Sequence, residues 1–127
     1  MIIYIDLDNT LCSPISSKIA KKEIKYCKPY KRMIKVINEL YKRGHFIVIW
    51  THRYEYCEKQ TVIWLKKHKV KYNEIKFNKL GYDLLIDDKA FPPYNYLNAN
   101  VIEGLIEKTH KWNFNKGKFN LKKENKK

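Results

Sequence analysis

Two carboxylates stand two residues apart in the run Asp6-Leu7-Asp8-Asn9-Thr10, directly behind the apolar stretch Ile2-Ile3-Tyr4-Ile5. Carboxylates this close repel one another, so they call for a cation, a shared proton or different roles. In a bare Asp-x-Asp the plainer reading is a pair of solvated loop acids. The position at the end of an apolar run, with Asn9-Thr10-Leu11 following, argues for a site. Further along, Thr51-His52-Arg53 follows the apolar run Phe46 to Trp50, and Asp87-Asp88 follows Tyr82 to Ile86. Each polar cluster follows a hydrophobic segment, which is how a parallel sheet presents catalytic groups beyond its strand ends.

The elements that must position these residues follow from periodicity and punctuation. Residues 2–6 read as a buried strand ending in Asp6. Residues 11–28, with Pro14 and many lysines, read as a loop or short flap. Pro29 opens a helix in which Met33, Ile34, Ile37, Leu40 and Tyr41 recur at helical spacing, and Gly44 stops it. Phe46–Trp50 is a second strand. A second helix from about Glu55 to His68 is expected to turn Val62, Ile63 and Leu65 inward. A weak strand at 74–77, another at 82–86, a turn at Pro92-Pro93 and a final helix from Asn98 to Lys108 complete the pattern. Strands alternating with helices predict an α/β, Rossmann-like three-layer sandwich around a central, mostly parallel sheet.

Composition narrows the class. A chain of 127 residues supports one core, and 44% hydrophobic residues are enough to build it. We expect one domain over 1–110 and a basic, mobile tail over 111–127. No apolar run is long enough to span a bilayer, and the N-terminus lacks the layout of a signal peptide, so a cytoplasmic protein without membrane contact is expected. Cys12, Cys27 and Cys57 are widely spaced, with no Cys-x-x-Cys pair, and read as reduced, partly buried thiols. The net charge is +14, and from Lys108 onward eight lysines face one acid, Glu124, so half of the excess sits in the last twenty residues. Such charge can attract nucleic acid, though lysine travels here with abundant Asn, Ile and Tyr as a general compositional bias.

Asp6-Leu7-Asp8-Asn9-Thr10-Leu11 resembles the first motif of the haloacid dehalogenase-like (HAD) phosphatase superfamily. Three further matches follow in order: Thr51 for the second-motif hydroxyl, Lys79 for the third-motif lysine and Asp87-Asp88 for the acidic fourth motif. The resemblance implies a phosphomonoesterase in which Asp6 attacks phosphorus and forms an aspartyl-phosphate, while Asp8 serves as general acid and then base. It implies Mg²⁺ held by Asp6, the Asp8 carbonyl and Asp87 or Asp88, with Thr51 and Lys79 holding phosphoryl oxygens. Asn9, Thr10, His52 and Arg53 are candidate substrate contacts. The insertions after Leu11 and after Thr51 are too short for a cap domain, which implies the capless type.

Each residue carries a plainer alternative. Thr51 can simply cap the next helix. Lys76 rivals Lys79, Asp87 and Asp88 can be turn acids, and His52 or Arg53 can form a structural ion pair. A small phosphorylated metabolite such as a sugar phosphate is the leading substrate class. The Ile86-Asp87-Asp88-Lys89-Ala90 run also resembles that of compact phosphatases of capsule or surface-sugar biosynthesis. A nucleotide or polynucleotide end phosphatase is the second reading, and a non-catalytic basic binding module on the same scaffold the third. Homo-oligomerisation is left open, since a neighbouring subunit could close a capless site.

Overall fold

The computed structural model describes residues 1–15, 21–90 and 98–104. The chain divides into two compact units, Met1–Leu85 and Ile86–Lys127, and each is described by itself. The first unit is a small α/β fold built on a three-stranded parallel sheet among the described residues. The order is β1 (Ile2–Ile5), β2 (Phe46–Trp50), β3 (Glu74–Lys76). β1 pairs with β2 from Ile2↔Phe46 to Ile5↔Ile49, and β2 pairs with β3 from Val48↔Glu74 to Trp50↔Lys76. The middle strand buries Ile47, Val48 and Ile49 in succession. A continuous apolar run, rather than an alternating one, is what a central parallel strand requires.

Helix α1 (Lys31–Lys42) buries Ile34, Val36, Ile37 and Leu40. It ends where Gly44, at φ 94°, donates to the Tyr41 carbonyl (3.0 Å) while His45 donates to Leu40 (3.2 Å). This is a Schellman closure, in which only the residue at the left-handed position needs glycine's freedom. The helix begins two residues later than expected, because Pro29 is bridged to Cys12 instead. Ser13 donates to the Lys28 carbonyl (2.9 Å) and Tyr30 to Leu11 (2.8 Å), so the flap is tied at its base. Within the flap a 3₁₀ turn, Lys21–Tyr26, drives Ile24 fully into the core.

The Glu55-to-His68 expectation resolves into a 3₁₀ turn, Glu55–Cys57, and helix α2 (Glu58–Lys67). Its buried face differs from the expected one. Thr61, Trp64 and Leu65 face inward, whereas Val62 and Ile63 are 37% and 58% exposed. The reason is polar as well as apolar: Trp64 Nε1 donates to the Cys27 carbonyl at 2.9 Å, and Thr61 Oγ1 accepts from a buried arginine. A buried Trp N–H without an acceptor would be costly, so this contact selects the helix rotation.

α2 also closes with a Schellman pair, Lys69 to Lys66 (3.1 Å) and Val70 to Leu65 (3.0 Å), but with Lys69 at φ 56°. A lysine there carries left-handed strain that glycine avoids. Lys69→Gly is expected to raise unfolding stability by about 0.5–1 kcal/mol. Denaturant unfolding checks this, and a lower midpoint would show that the lysine side chain offsets its own strain.

No strand forms over 82–86 among the described residues, correcting the expectation. Leu84 and Ile86 are 75% and 89% exposed. An apolar run has strand propensity, but without a paired ladder its backbone groups gain nothing over water. In the second unit Asn98 caps a helical stretch over 99–104, its side-chain oxygen accepting from Val101 N–H at 3.0 Å. The rest of that expected helix, the Pro92-Pro93 turn, flap residues 16–20 and the tail 111–127 lie outside the described residues. No helix among the described residues is long and apolar enough to cross a membrane.

Candidate active site

The loop that follows β1 is wound around one carbonyl. Leu7 O accepts from the N–H groups of Thr10 (3.2 Å), Leu11 (2.8 Å) and Cys12 (3.3 Å), while Asn9 takes φ 61° and donates to Cys12 O (2.7 Å). Leu7 and Leu11 are fully buried and anchor the loop. The Asn9 side chain accepts from Tyr30 OH at 3.2 Å, and Thr10 contributes its backbone N–H to the Leu7 carbonyl.

A second loop is laced to a third. Thr51 N–H donates to the Lys76 carbonyl, Lys79 N–H to Thr51 O, and Asn78 N–H to Arg53 O, at 2.9, 2.9 and 2.8 Å. His52 Nδ1 donates to the Lys79 carbonyl (2.7 Å), and Glu55 N–H donates to Asn78 Oδ1 (3.2 Å). Asn78 sits at φ 61°, a conformation that asparagine tolerates better than most residues. Its place just before Lys79 is the signal that sequence reading passed over.

This lacing carries Lys79 to Asp6. Lys79 Nζ lies 4.0 Å from Asp6 Oδ1, beyond hydrogen-bond range, with a side chain only 7% exposed. The ammonium sits over the Trp50 ring (4.6 Å to its centroid) and near that of Tyr82 (5.4 Å), which shield its charge from water. Lys76, the rival lysine, is turned away, donating to Tyr4 OH at 2.9 Å. Burial pushes the Asp6 carboxyl above its usual range, while the Leu7 amide, Lys79 and His52 pull it down and Asp8 adds to the rise.

Asp8 faces elsewhere. Its Oδ2 accepts from Arg53 Nε at 2.9 Å and its Oδ1 from Arg53 Nη2 at 2.6 Å, a two-pronged ion pair. Arg53 is 1% exposed, so it is not a surface anion hook. Its third nitrogen, Nη1, donates to Thr61 Oγ1 at 3.0 Å. Asp8, Cys12 and Cys27 place ligand atoms within 4.8 Å of one another, a spacing that could hold a metal ion. The Arg53 guanidinium already fills that seat, with Nη2 3.7 Å from Cys12 Sγ and 3.8 Å from Cys27 Sγ. Both thiols are held protonated chiefly by burial.

Thr51 is fully buried, and its Oγ1 accepts from Arg53 N–H (3.1 Å), a local turn contact rather than a helix cap, since the next helical turn starts after Tyr54. Asp87 and Asp88 belong to the second unit, where Asp87 Oδ1 accepts from Lys89 N–H at 2.7 Å. The structure therefore brings together Asp6 with Lys79, and Asp8 with Arg53. Neither of two marked surface hollows, one over α1 and one beside the end of α2, is lined by these four residues.

No protein-family model matches the chain, and no curated protein matches it. Among solved structures, a Vibrio cholerae protein solved as an MCSG target is 29% identical with a TM-score of 0.66, over 84% of this chain and 97% of that one. A chain in a structure of the Pnkp1/Rnl/Hen1 complex is 15% identical with a TM-score of 0.52, over 81% of this chain and 31% of that one. A chain in the Pnkp1/Rnl/Hen1 RNA repair complex is 15% identical with a TM-score of 0.54, over 81% and 29%. At that identity the last two likenesses concern the fold alone.

Proposed function

We propose that this chain is a phosphomonoesterase of the HAD type, a capless Rossmann-like domain that works through an aspartyl-phosphate on Asp6 with Mg²⁺ as its cofactor. The observation that carries the reading is the meeting of Asp6 and Lys79, 73 positions apart in the chain, as an anionic nucleophile beside a shielded cation. In the first half-reaction an Asp6 oxygen bonds to phosphorus and the P–O bond to the alcohol breaks. The leaving oxygen takes a proton from Asp8. In the second, Asp8 takes a proton from water, whose oxygen displaces Asp6 from phosphorus and releases phosphate. Lys79 offsets the negative charge on the phosphoryl oxygens as they pass.

The donor set suits Mg²⁺. Asp6 offers a hard carboxylate whose ionised form burial disfavours, so a bound cation would relieve it. Both Asp8 carboxylate oxygens are engaged by Arg53, which leaves the Asp8 backbone carbonyl as that residue's natural ligand. When bound, the ion would neutralise charge between the anionic nucleophile and its anionic substrate. Chelation is expected to remove activity, and added Mg²⁺ to restore it; full turnover in excess chelator would overturn the metal assignment.

A small phosphorylated metabolite such as a sugar phosphate is the substrate class we favour. A second class, the end phosphate of a nucleic acid, is supported by the stacked, exposed pair Tyr54 and Tyr56 (5.7 Å between centroids), with Lys21 Nζ 4.6 Å from the Tyr56 ring centre. Exposed aromatics beside lysine suit base stacking. A panel of sugar phosphates, nucleotides, oligonucleotide ends and an aryl phosphate tests the reading. Sugar phosphates no better than the aryl phosphate would sink the first class, and inert oligonucleotides without salt-sensitive binding the second. A protein inert with Mg²⁺ on every member would favour the non-catalytic binding module.

A further inference from the structure

We propose that Arg53 is a positioning residue that holds Asp8 in the orientation needed to exchange protons with the leaving oxygen and the incoming water. The inference rests on the phosphomonoesterase reading and assigns Arg53 a role different from substrate contact.

Three observations carry it. First, the pair is side-on: Nε and Nη2 each hold one Asp8 oxygen, at 2.9 and 2.6 Å, which fixes both the position and the plane of the carboxylate. Second, the guanidinium is itself immobilised. Nη1 donates to Thr61 on α2 at 3.0 Å, and Nη2 lies against Cys12 and Cys27 from the two ends of the flap. Arg53 thus ties the first-motif loop, the flap and α2 to one rigid plane. Third, burial is nearly complete on the arginine, at 1%, while the Asp8 side chain keeps 23% exposure. The cation is sealed in and the carboxylate emerges from it, so proton traffic has access to Asp8 alone.

A purely structural arginine would need a counter-charge, but any buried acid would serve. Here the counter-charge is the carboxylate that the reading assigns to proton transfer. Arginine suits this position because its fork is planar and it stays charged through the cycle. Lysine would supply the charge without defining the plane. No proton leaves Arg53 at any step; Asp8 alone gives one and takes one back.

The test compares two substrates in kcat/KM, which reports the transfer to Asp6. An aryl phosphate with a weakly basic leaving group needs no proton, whereas an alkyl phosphate such as glycerol phosphate does. In Arg53→Met, kcat/KM on the alkyl ester is expected to fall by about 10²-fold and on the aryl ester by about 3-fold or less. Arg53→Lys is expected to resemble Arg53→Met. The double variant Asp8→Asn with Arg53→Met is expected to be no worse than Asp8→Asn alone, because Arg53 acts through Asp8. It also removes both charges of the pair together, which protects folding if Arg53→Met alone unfolds. Thr61→Val, which frees Nη1 and spares the pair, gives the same selective loss on a smaller scale. Equal losses on both esters in these folded variants, or full alkyl activity in Arg53→Lys, would overturn the positioning role. A wild-type protein inert on both esters would instead fell the phosphomonoesterase reading, and this inference with it.

Discussion

Asp6→Asn is expected to lower phosphomonoester turnover by about 10⁴-fold or more, the scale seen when a covalent nucleophile is removed. The amide has the same shape but cannot form the aspartyl-phosphate, so substrate binding survives and turnover does not. Stability provides the control. Burial raises the Asp6 pKa above its ordinary value, so between the unfolded and folded values the native state binds more protons than the unfolded state. Stability from this group therefore falls as pH rises through that window, and the penalty persists at neutral pH. Asp6→Asn removes it, so at pH 7 in chelator the variant is expected to melt at or above wild type. The difference should close as pH falls below the ordinary carboxylate range. A clear drop in melting temperature at pH 7 would show that the attraction between Asp6 and Lys79 outweighs the burial cost. Retained turnover would rule out Asp6 as nucleophile.

Lys79→Met is expected to lower kcat by about 10²- to 10³-fold, the range for losing one oriented charge at a phosphoryl oxygen. Lys76→Met is expected to stay within about 3-fold of wild type, since an exposed surface contact contributes little. The contrast comes from environment. Lys79 Nζ is sheltered by Trp50 and Tyr82, 4.0 Å from Asp6, whereas Lys76 points to Tyr4 and solvent. Charge in a poorly hydrated niche acts on its neighbours far more strongly than the same charge in water. Equal losses in the two variants would mean that net positive charge, not the placement of Lys79, matters.

The first two strands and the end of the first helix were legible because their signals are local. Ile2 to Ile5 and Phe46 to Trp50 are short apolar runs ending in polar residues, and Gly44 marks a helix end that its backbone angle requires. The end of α2 was read to within a residue, at His68, although Lys69 holds there the same left-handed turn that glycine holds after α1. There the structure tolerates local strain because the Schellman bonds and Asn38, which bonds to Lys69 O and Lys71 N, fix the turn from outside. The inward face of α2 was misread for a related reason. Val62 and Ile63 are more hydrophobic than Thr61, yet Thr61 and Trp64 have buried polar partners waiting. Hydrophobicity ranks side chains one at a time, whereas hydrogen-bond satisfaction depends on what lies opposite.

The same division runs through the site. The sequence by itself determined which residue types stand at the strand ends: Asp6 and Asp8 after β1, Thr51 to Arg53 after β2, and Lys79 after β3. It also determined that the acids need a counter-charge, because that follows from their spacing. Which cation answers which acid was decided only by tertiary structure. Asp6 faces Lys79 because the loops after β2 and β3 are laced at Asn78, and Asp8 faces Arg53 because α2 and the flap close around the guanidinium. Pairing two charges requires the chain segments that carry them to converge, and that convergence is a property of the packed core rather than of either segment.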